Sequence, residues 1–173
     1  KAKEIVSRLS DLSRKNPDAS DRAISVDEVI RKTLDIAMAA KPQAVEIRLN
    51  LNCWDQRIQA NEIQLMQMFL NLILNGFHAM EKQGGQLRIS TTFDEKRVRI
   101  RIADTGCGIP EKILPHIYEP FFSTKKMGSG TGLGLAIVAQ VVESHQGEIR
   151  VETKVGQGTA FFIDLPRILS LNS

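Results

Sequence analysis

The stretches DTGCGIP, Asp104–Pro110, and GSGTGLGLAIV, Gly128–Val138, decide the reading of this chain. Val98, Ile100 and Ile102 alternate with Arg97, Arg99 and Arg101, which predicts a strand aimed at Asp104. Gly130, Gly132 and Gly134 lead into Leu135, Ile137, Val138 and Val141, which predicts a helix from about Thr131 to Ser144, ending near Gly147. A carboxylate closing a strand, glycines that let backbone approach a ligand, and a helix start that attracts anions are together the equipment for a bound nucleotide.

Outward from these stretches the pattern alternates between helix and strand. Ser25 with Glu28 has the form of a capping box, starting a helix to about Ala40, before Lys41-Pro42. Val45, Ile47, Leu49 and Leu51 alternate with polar residues as in a half-buried strand. Asn61 with Gln64 predicts a second cap, and its helix runs to about Met80, stopping at Gly84-Gly85. Leu87 and Ile89 open a strand, joined to the arginine strand by a turn at Asp94-Glu95-Lys96. Glu148–Thr153 and Thr159–Leu165 are two last strands, and Pro110–Gly130 has no sustained period. The expected fold is a two-layer α+β sandwich, a mixed and largely antiparallel sheet on three helices.

The chain has 173 residues, 42% hydrophobic and 25% charged, with a net charge of +3. That supports one domain with an added helix or arm. No basic stripe interleaved with aromatics is present, and one Trp and one Tyr make no base-stacking platform, so nucleic acid is not an expected partner. No apolar run reaches a membrane span and no signal peptide is visible. Cys53 and Cys107 lack metal-site spacing and read as reduced, buried or half-buried thiols of a cytoplasmic protein. His78, His116 and His145 stand too far apart to suggest zinc. Ile5, Val6, Leu9 and Leu12 form a helical stripe, and Ser13–Arg22 reads as a linker. The chain opens at Lys1 in mid-pattern, as a piece of a longer protein would.

On the helix after Asn61, Leu65, Phe69, Leu72, Ile73 and Met80 make an apolar face, while Gln67, Asn71, Asn75 and His78 share another. Asn71 and Asn75 sit one turn apart, in a helix interior where Asn is disfavoured. They suit either a solvated face or a metal-bound triphosphate, and the glycine stretches nearby favour the second. Magnesium takes few protein oxygens and keeps waters and phosphates, so one Asn carbonyl suits it. Asp104 is placed to accept from an exocyclic amine, with adenine preferred, and the Thr159 hydroxyl fits the same pocket. Lys125 and Lys126 precede the helix start, where an ammonium would meet phosphates. Phe121 and Phe122 read as loop anchors, and His145 as a helix C-terminal residue suited to the dipole. Neither a dinucleotide fingerprint nor a Walker loop occurs.

Taken in order, these pieces resemble the ATP-binding catalytic domain of bacterial sensor histidine kinases, in the group that includes gyrase, the Hsp90 chaperones and MutL. QLMQMFLNLILNGFHAM resembles the asparagine box, DTGCGIP and GSGTGLGLAIV the two glycine boxes, YEPFFSTK the phenylalanine box and GQGTAFF the closing glycine motif. The likeness covers Ile24 to Pro166, and its flavour is that of the nitrogen-regulator type. It implies a Bergerat-type α/β sandwich over residues 24–173, with Pro110–Gly130 as an ATP lid. It implies that Asn75 binds magnesium, that Asn71 and Lys125 act on the phosphates, and that Asp104 reads adenine over Gly106 and Gly108. It also assigns His78, Ile109, Phe121, Gly130, Thr131, Gly132, Leu133, Gly134, Leu135 and Thr159 to the ATP pocket.

RLSDLSRKNP resembles the end of a dimerisation and phosphoacceptor helix, so residues 1–23 read as the tail of that domain. The resemblance implies an ATP- and Mg2+-dependent protein-histidine kinase that phosphorylates a phosphoacceptor domain of its own protein for relay to a response regulator. The parent would be a homodimer, in the cytoplasm or anchored at the inner membrane, and this piece alone would not autophosphorylate. Other readings are an ATPase or protein-serine kinase of the same group, or a non-catalytic ATP-sensing module. Hydrolytic relatives carry a Glu where Asn71 stands, and an amide cannot take a proton from water.

Overall fold

Helix–sheet alternation resolves into the expected two layers. The computed structural model describes residues 21–123 and 132–168. In chain order these form β1 (Arg22–Ile24), α1 (Val26–Ala37), β2 (Val45–Leu51), β3 (Ile58–Ala60), α2 (Glu62–Ala79), β4 (Gly85–Phe93), β5 (Arg97–Asp104), α3 (Gly134–Ser144), β6 (Glu148–Lys154) and β7 (Gly158–Pro166). Two short 3-10 turns, Met38–Ala40 and Glu111–His116, complete the described elements. The stripe from Ile5 to Leu12 and most of the linker lie outside the described residues.

The main sheet has the order β2-β4-β5-β7-β6. β2 pairs parallel with β4, and every other pairing is antiparallel. The parallel pair requires a crossover, and α2 supplies it. Alternation then sorts the side chains. Leu87, Ile89, Val98, Ile100, Ile102, Phe161, Ile163 and Leu165 are buried and belong to one core with the helices. The arginines between them, Arg99 and Arg101, are exposed on the other face.

Local chemistry explains most element ends. Asn61 caps α2, its Oδ1 accepting from the N–H groups of Ile63 and Gln64 at 3.0 and 3.1 Å. Asp94 makes the β4–β5 turn by accepting from the N–H groups of Lys96 and Arg97, which hold its carboxyl below the usual range. The expected capping box at Ser25 does not form. Ser25 is the N-cap of α1, but its side chain makes no cap bond and its buried hydroxyl has no partner. Buried Asp27 anchors this end instead, accepting from the Cys53 N–H and the Thr91 hydroxyl at 2.7 Å each.

Three further differences from the sequence reading are local. β1 and β3 form a separate antiparallel ribbon that the sequence did not announce, and β1 begins within the expected linker at Arg22. Each strand has three residues, too few for an alternation to register. α3 starts at Gly134 rather than Thr131. Cys107 is exposed, while Cys53 is buried and its thiol pushed up by desolvation. Among the described residues no helix is long and apolar enough to cross a membrane.

Gly158 opens β7 at φ +102, and a Cβ there would lie 2.0 Å from the Asp104 carbonyl oxygen. Both the conformation and the space demand glycine. Gly158→Ala is therefore expected to cost at least about 2 kcal/mol of folding stability, read from the urea unfolding midpoint.

Candidate functional site

The candidate site forms where β5 ends, where α2 passes it, and where α3 begins. Asp104 is the last residue of β5 and lies between Leu87 of β4 and Thr159 of β7. Its Oδ1 accepts from the Gly106 N–H at 2.8 Å. Burial pushes the Asp104 carboxyl above the ordinary range, while the N–H groups of Gly106 and Thr159 pull it back. The residue is thus a partly desolvated acceptor at the mouth of the sheet.

α2 approaches this carboxylate at Gly76, a residue that the sequence reading passed over. A Cβ at Gly76 would lie 2.8 Å from Leu87 Cδ1, 3.5 Å from Asp104 Cβ and 4.0 Å from Asp104 Oδ2. The signal was present, because a mid-helix Gly costs about 1 kcal/mol against Ala and asks for a packing reason. Asn75 is the next residue back and is half-buried, and His78 is exposed further along the same strip.

One turn before Asn75, Asn71 is 6% exposed. It is not part of a solvated face, and neither is Gln67, also 6% exposed. The Asn71 Nδ2 is buried without a hydrogen-bond partner. Its Oδ1 lies 3.3 Å from where a Cβ of Gly134 would stand, so Asn71 abuts the start of α3. Leu133 is the N-cap of α3, and its own apolar side chain makes no cap bond. The first N–H groups of a helix have no intrahelical acceptor, and here they open beside an orphaned amide.

Thr159 is buried, and its hydroxyl is 3.0 Å from that of Thr153. The Thr153 hydroxyl donates to the Gly158 carbonyl and accepts from the Ile109 N–H at 2.9 Å. With the Thr153 proton committed, Thr159 donates to Thr153 and keeps only acceptor capacity for a ligand or water. Nothing in an ordinary strand Thr marked Thr153 in advance.

Gly106 and Gly108 meet protein backbone. A Cβ at Gly106 would stand 2.7 Å from the Ala79 carbonyl, and one at Gly108 2.2 Å from the Lys154 carbonyl. They seat the turn on the end of α2 and on the β6–β7 turn, and the Cys107 N–H bonds to Ala79 at 3.2 Å. Phe121, at φ 67 and 78% exposed, touches Gly132, whose Cβ would lie 2.4 Å from its carbonyl carbon. Ile109 and Leu135 pack partly buried against the core. Lys125, Lys126, Gly130 and Thr131 lie outside the described residues. The structure therefore joins Asp104, Gly106, Ile109 and Thr159 in one cluster and Asn71, Leu133 and Gly134 in another. α2 carries the link between them.

A fold and site of this kind define a nucleotide-binding class. The family of histidine kinase-, DNA gyrase B- and HSP90-like ATPases matches residues 60–168, and the chain belongs to it. Sensor histidine kinase ZraS of Salmonella typhi is 36% identical over 165 residues, covering 95% of this chain and 35% of that protein. Sporulation kinase A of Bacillus subtilis is 44% identical over 110 residues, covering 64% of this chain and 18% of that protein. This chain thus spans about a third or less of these relatives. The mycobacterial sensor histidine kinase MprB structure superposes with a TM-score of 0.74 at 28% identity, covering 85% of this chain and 97% of that one. Full-length ShkA in complex with AMPPNP gives 0.75 at 27%, covering 87% and 32%. The architecture is that of the ATP-binding domain of sensor histidine kinases.

The raised Asp104 carboxyl has a consequence for stability. Its native proton affinity exceeds the unfolded value, so its contribution is full below the ordinary value of 3.8 and is lost as pH rises through the native pKa. Against Asp104→Asn, which does not titrate, the wild type should lose stability across that window, seen by comparing urea midpoints from pH 3 to pH 7.

Proposed function

We propose that this chain binds Mg-ATP and that its parent transfers the γ-phosphate to a histidine of a phosphoacceptor domain, for relay to a response regulator. One observation carries the reading. Asn71, whose buried Nδ2 has no hydrogen-bond partner, abuts the start of α3 through its Oδ1 side. A buried donor without an acceptor costs about 1–3 kcal/mol. A phosphate oxygen at this helix start would give the amide a partner, with the helix dipole in favour.

The other groups find places around that anchor. Asp104 accepts the exocyclic amine of adenine, and the Thr159 hydroxyl offers an acceptor beside it. Asn75 supplies an amide oxygen to magnesium. Magnesium takes few protein oxygens, so phosphates and water would complete its shell. Magnesium, when bound, neutralises charge that develops on the phosphates. Lys125 acts at the phosphates, and Leu133, Gly134 and Leu135 present the helix start. Phe121 and Gly132 tie together the two flanks of Lys125–Thr131.

The chemistry of α2 favours transfer over hydrolysis. Its only acid is Glu62, in the first turn. The position that would activate water holds an amide, and a neutral imidazole acceptor needs no deprotonation of its attacking nitrogen. The phosphoacceptor domain, the regulator and a homodimeric parent follow from the sensor kinases this chain resembles. A separately made acceptor helix pair mixed with this chain and Mg-ATP should gain acid-labile phosphate on histidine; no transfer sinks the reading.

Asn75 gives a sharper check on the metal. Asn75→Ala should weaken ATP binding at least about tenfold, or 1.4 kcal/mol, in magnesium. The difference from wild type should vanish in EDTA, when both are followed by calorimetry.

A further inference from the structure

α3 meets α2 at two polar points. Near the site Gly134 abuts Asn71, and at the far end His145 meets Asn61. His145 is the C-cap of α3 and is 9% exposed. Its Nε2 lies 3.1 Å from the backbone nitrogen of Asn61, and its Nδ1 lies 2.7 Å from the Val141 carbonyl oxygen. A peptide N–H only donates and a carbonyl only accepts. Nε2 therefore accepts from Asn61, and Nδ1 carries the proton and donates to Val141. The two bonds fix which ring nitrogen faces each helix.

The two contacts make the helices antiparallel and fix their register. From Asn61 to Asn71 is about 15 Å of helix, and from Gly134 to His145 about 17 Å. The spans match, so each end of the pair is pinned. Between the pins the contact is apolar, with Val138, Val141 and Val142 of α3 buried in the core. Apolar burial is non-directional and does not by itself select an axial register.

We infer that His145 is a positioning residue for the phosphate cradle, rather than only a helix cap. It sets how far α3 extends along α2, and so whether the start of α3 faces Asn71. This rests on the proposed Mg-ATP site. The adenine end is held independently, because Asp104 is fixed by β5, by Gly106 and by the passage of Gly76. Loosening the His145 pin should therefore disturb recognition of phosphates and spare recognition of adenosine.

Two substitutions separate the pin from the cap. His145→Gln keeps an acceptor that reaches the Asn61 N–H. His145→Asn keeps a donor for Val141 but is too short to reach Asn61. Calorimetry with Mg-ATP and an NMR titration with adenosine, on the whole chain, read both ends. His145→Asn is expected to bind ATP about tenfold more weakly while adenosine affinity stays within about twofold; His145→Gln stays within about threefold of wild type for ATP. Equal weakening of ATP and adenosine by His145→Asn, an unchanged ATP affinity in that variant, or a tenfold loss in His145→Gln would each overturn the assignment. A wild-type chain that binds adenosine but not ATP would instead remove the Mg-ATP site, and the inference with it.

Discussion

The structure depends on a helix that has almost no free side. α2 buries Leu65, Met68, Phe69, Leu70, Leu72, Ile73, Leu74 and Phe77 around most of its axis, and the remaining strip carries Gln67, Asn71, Asn75 and His78. A helix in that position is held by the sheet below and by α1 and α3 beside it. Every polar group it carries inward must find a partner or impose a cost. Asn71 occupies such a position with its amide nitrogen unpaired. The fold gives that amide nitrogen no partner, which is why the proposed ligand site is centred on it. The same burial gives the site its rigidity, because α2 cannot tilt without disturbing the core on several sides.

Glycines set how closely the surrounding pieces approach. At Gly76 the helix comes within van der Waals reach of Asp104, and at Gly158 the first residue of β7 lies against the Asp104 carbonyl. Asp104 is therefore enclosed from the helix side and from the neighbouring strand, and desolvation raises its carboxyl as a direct result. The N–H groups of Gly106 and Thr159 limit that rise. Enclosure and hydrogen bonding leave an acceptor whose geometry is set by backbone on all sides. Such an acceptor discriminates better than a mobile surface carboxylate, because a wrongly placed amine cannot draw it across.

The legible parts of the sequence were those with a repeated local signal. Alternation over Val98–Ile102, the Asn61 cap and the turn at Asp94 each specify geometry within a few residues, and the structure has all three. The paired amides Asn71 and Asn75 were legible as a strip, but their burial was not, because burial depends on what α1 and α3 cover. Ser25 failed as a cap for a related reason. Its hydroxyl is buried, while Asp27 holds the loop at Cys53 and strand β4, a partnership across 26 and 64 residues that no local window contains. The β1–β3 ribbon was too short to show. His145 was placed correctly at a helix end, but its contact with the Asn61 N–H, 84 residues away, lies beyond any local window.

The choice of an amide at Asn71 follows from the same enclosure. A carboxylate at this 6% exposed position would carry a charge to desolvate, and it could serve as a base toward water. An amide has no charge to desolvate and offers both a donor and an acceptor. It can bond a phosphate oxygen without lifting a proton from water. The cost is that it cannot serve as a base, so the reaction it supports must bring its own nucleophile. In the proposed reaction that nucleophile is a histidine, which presents a lone pair without losing a proton first. Under the proposed function, amides on the inward strip of α2 would thus tie the packing of the core to transfer of a phosphate rather than its release to water.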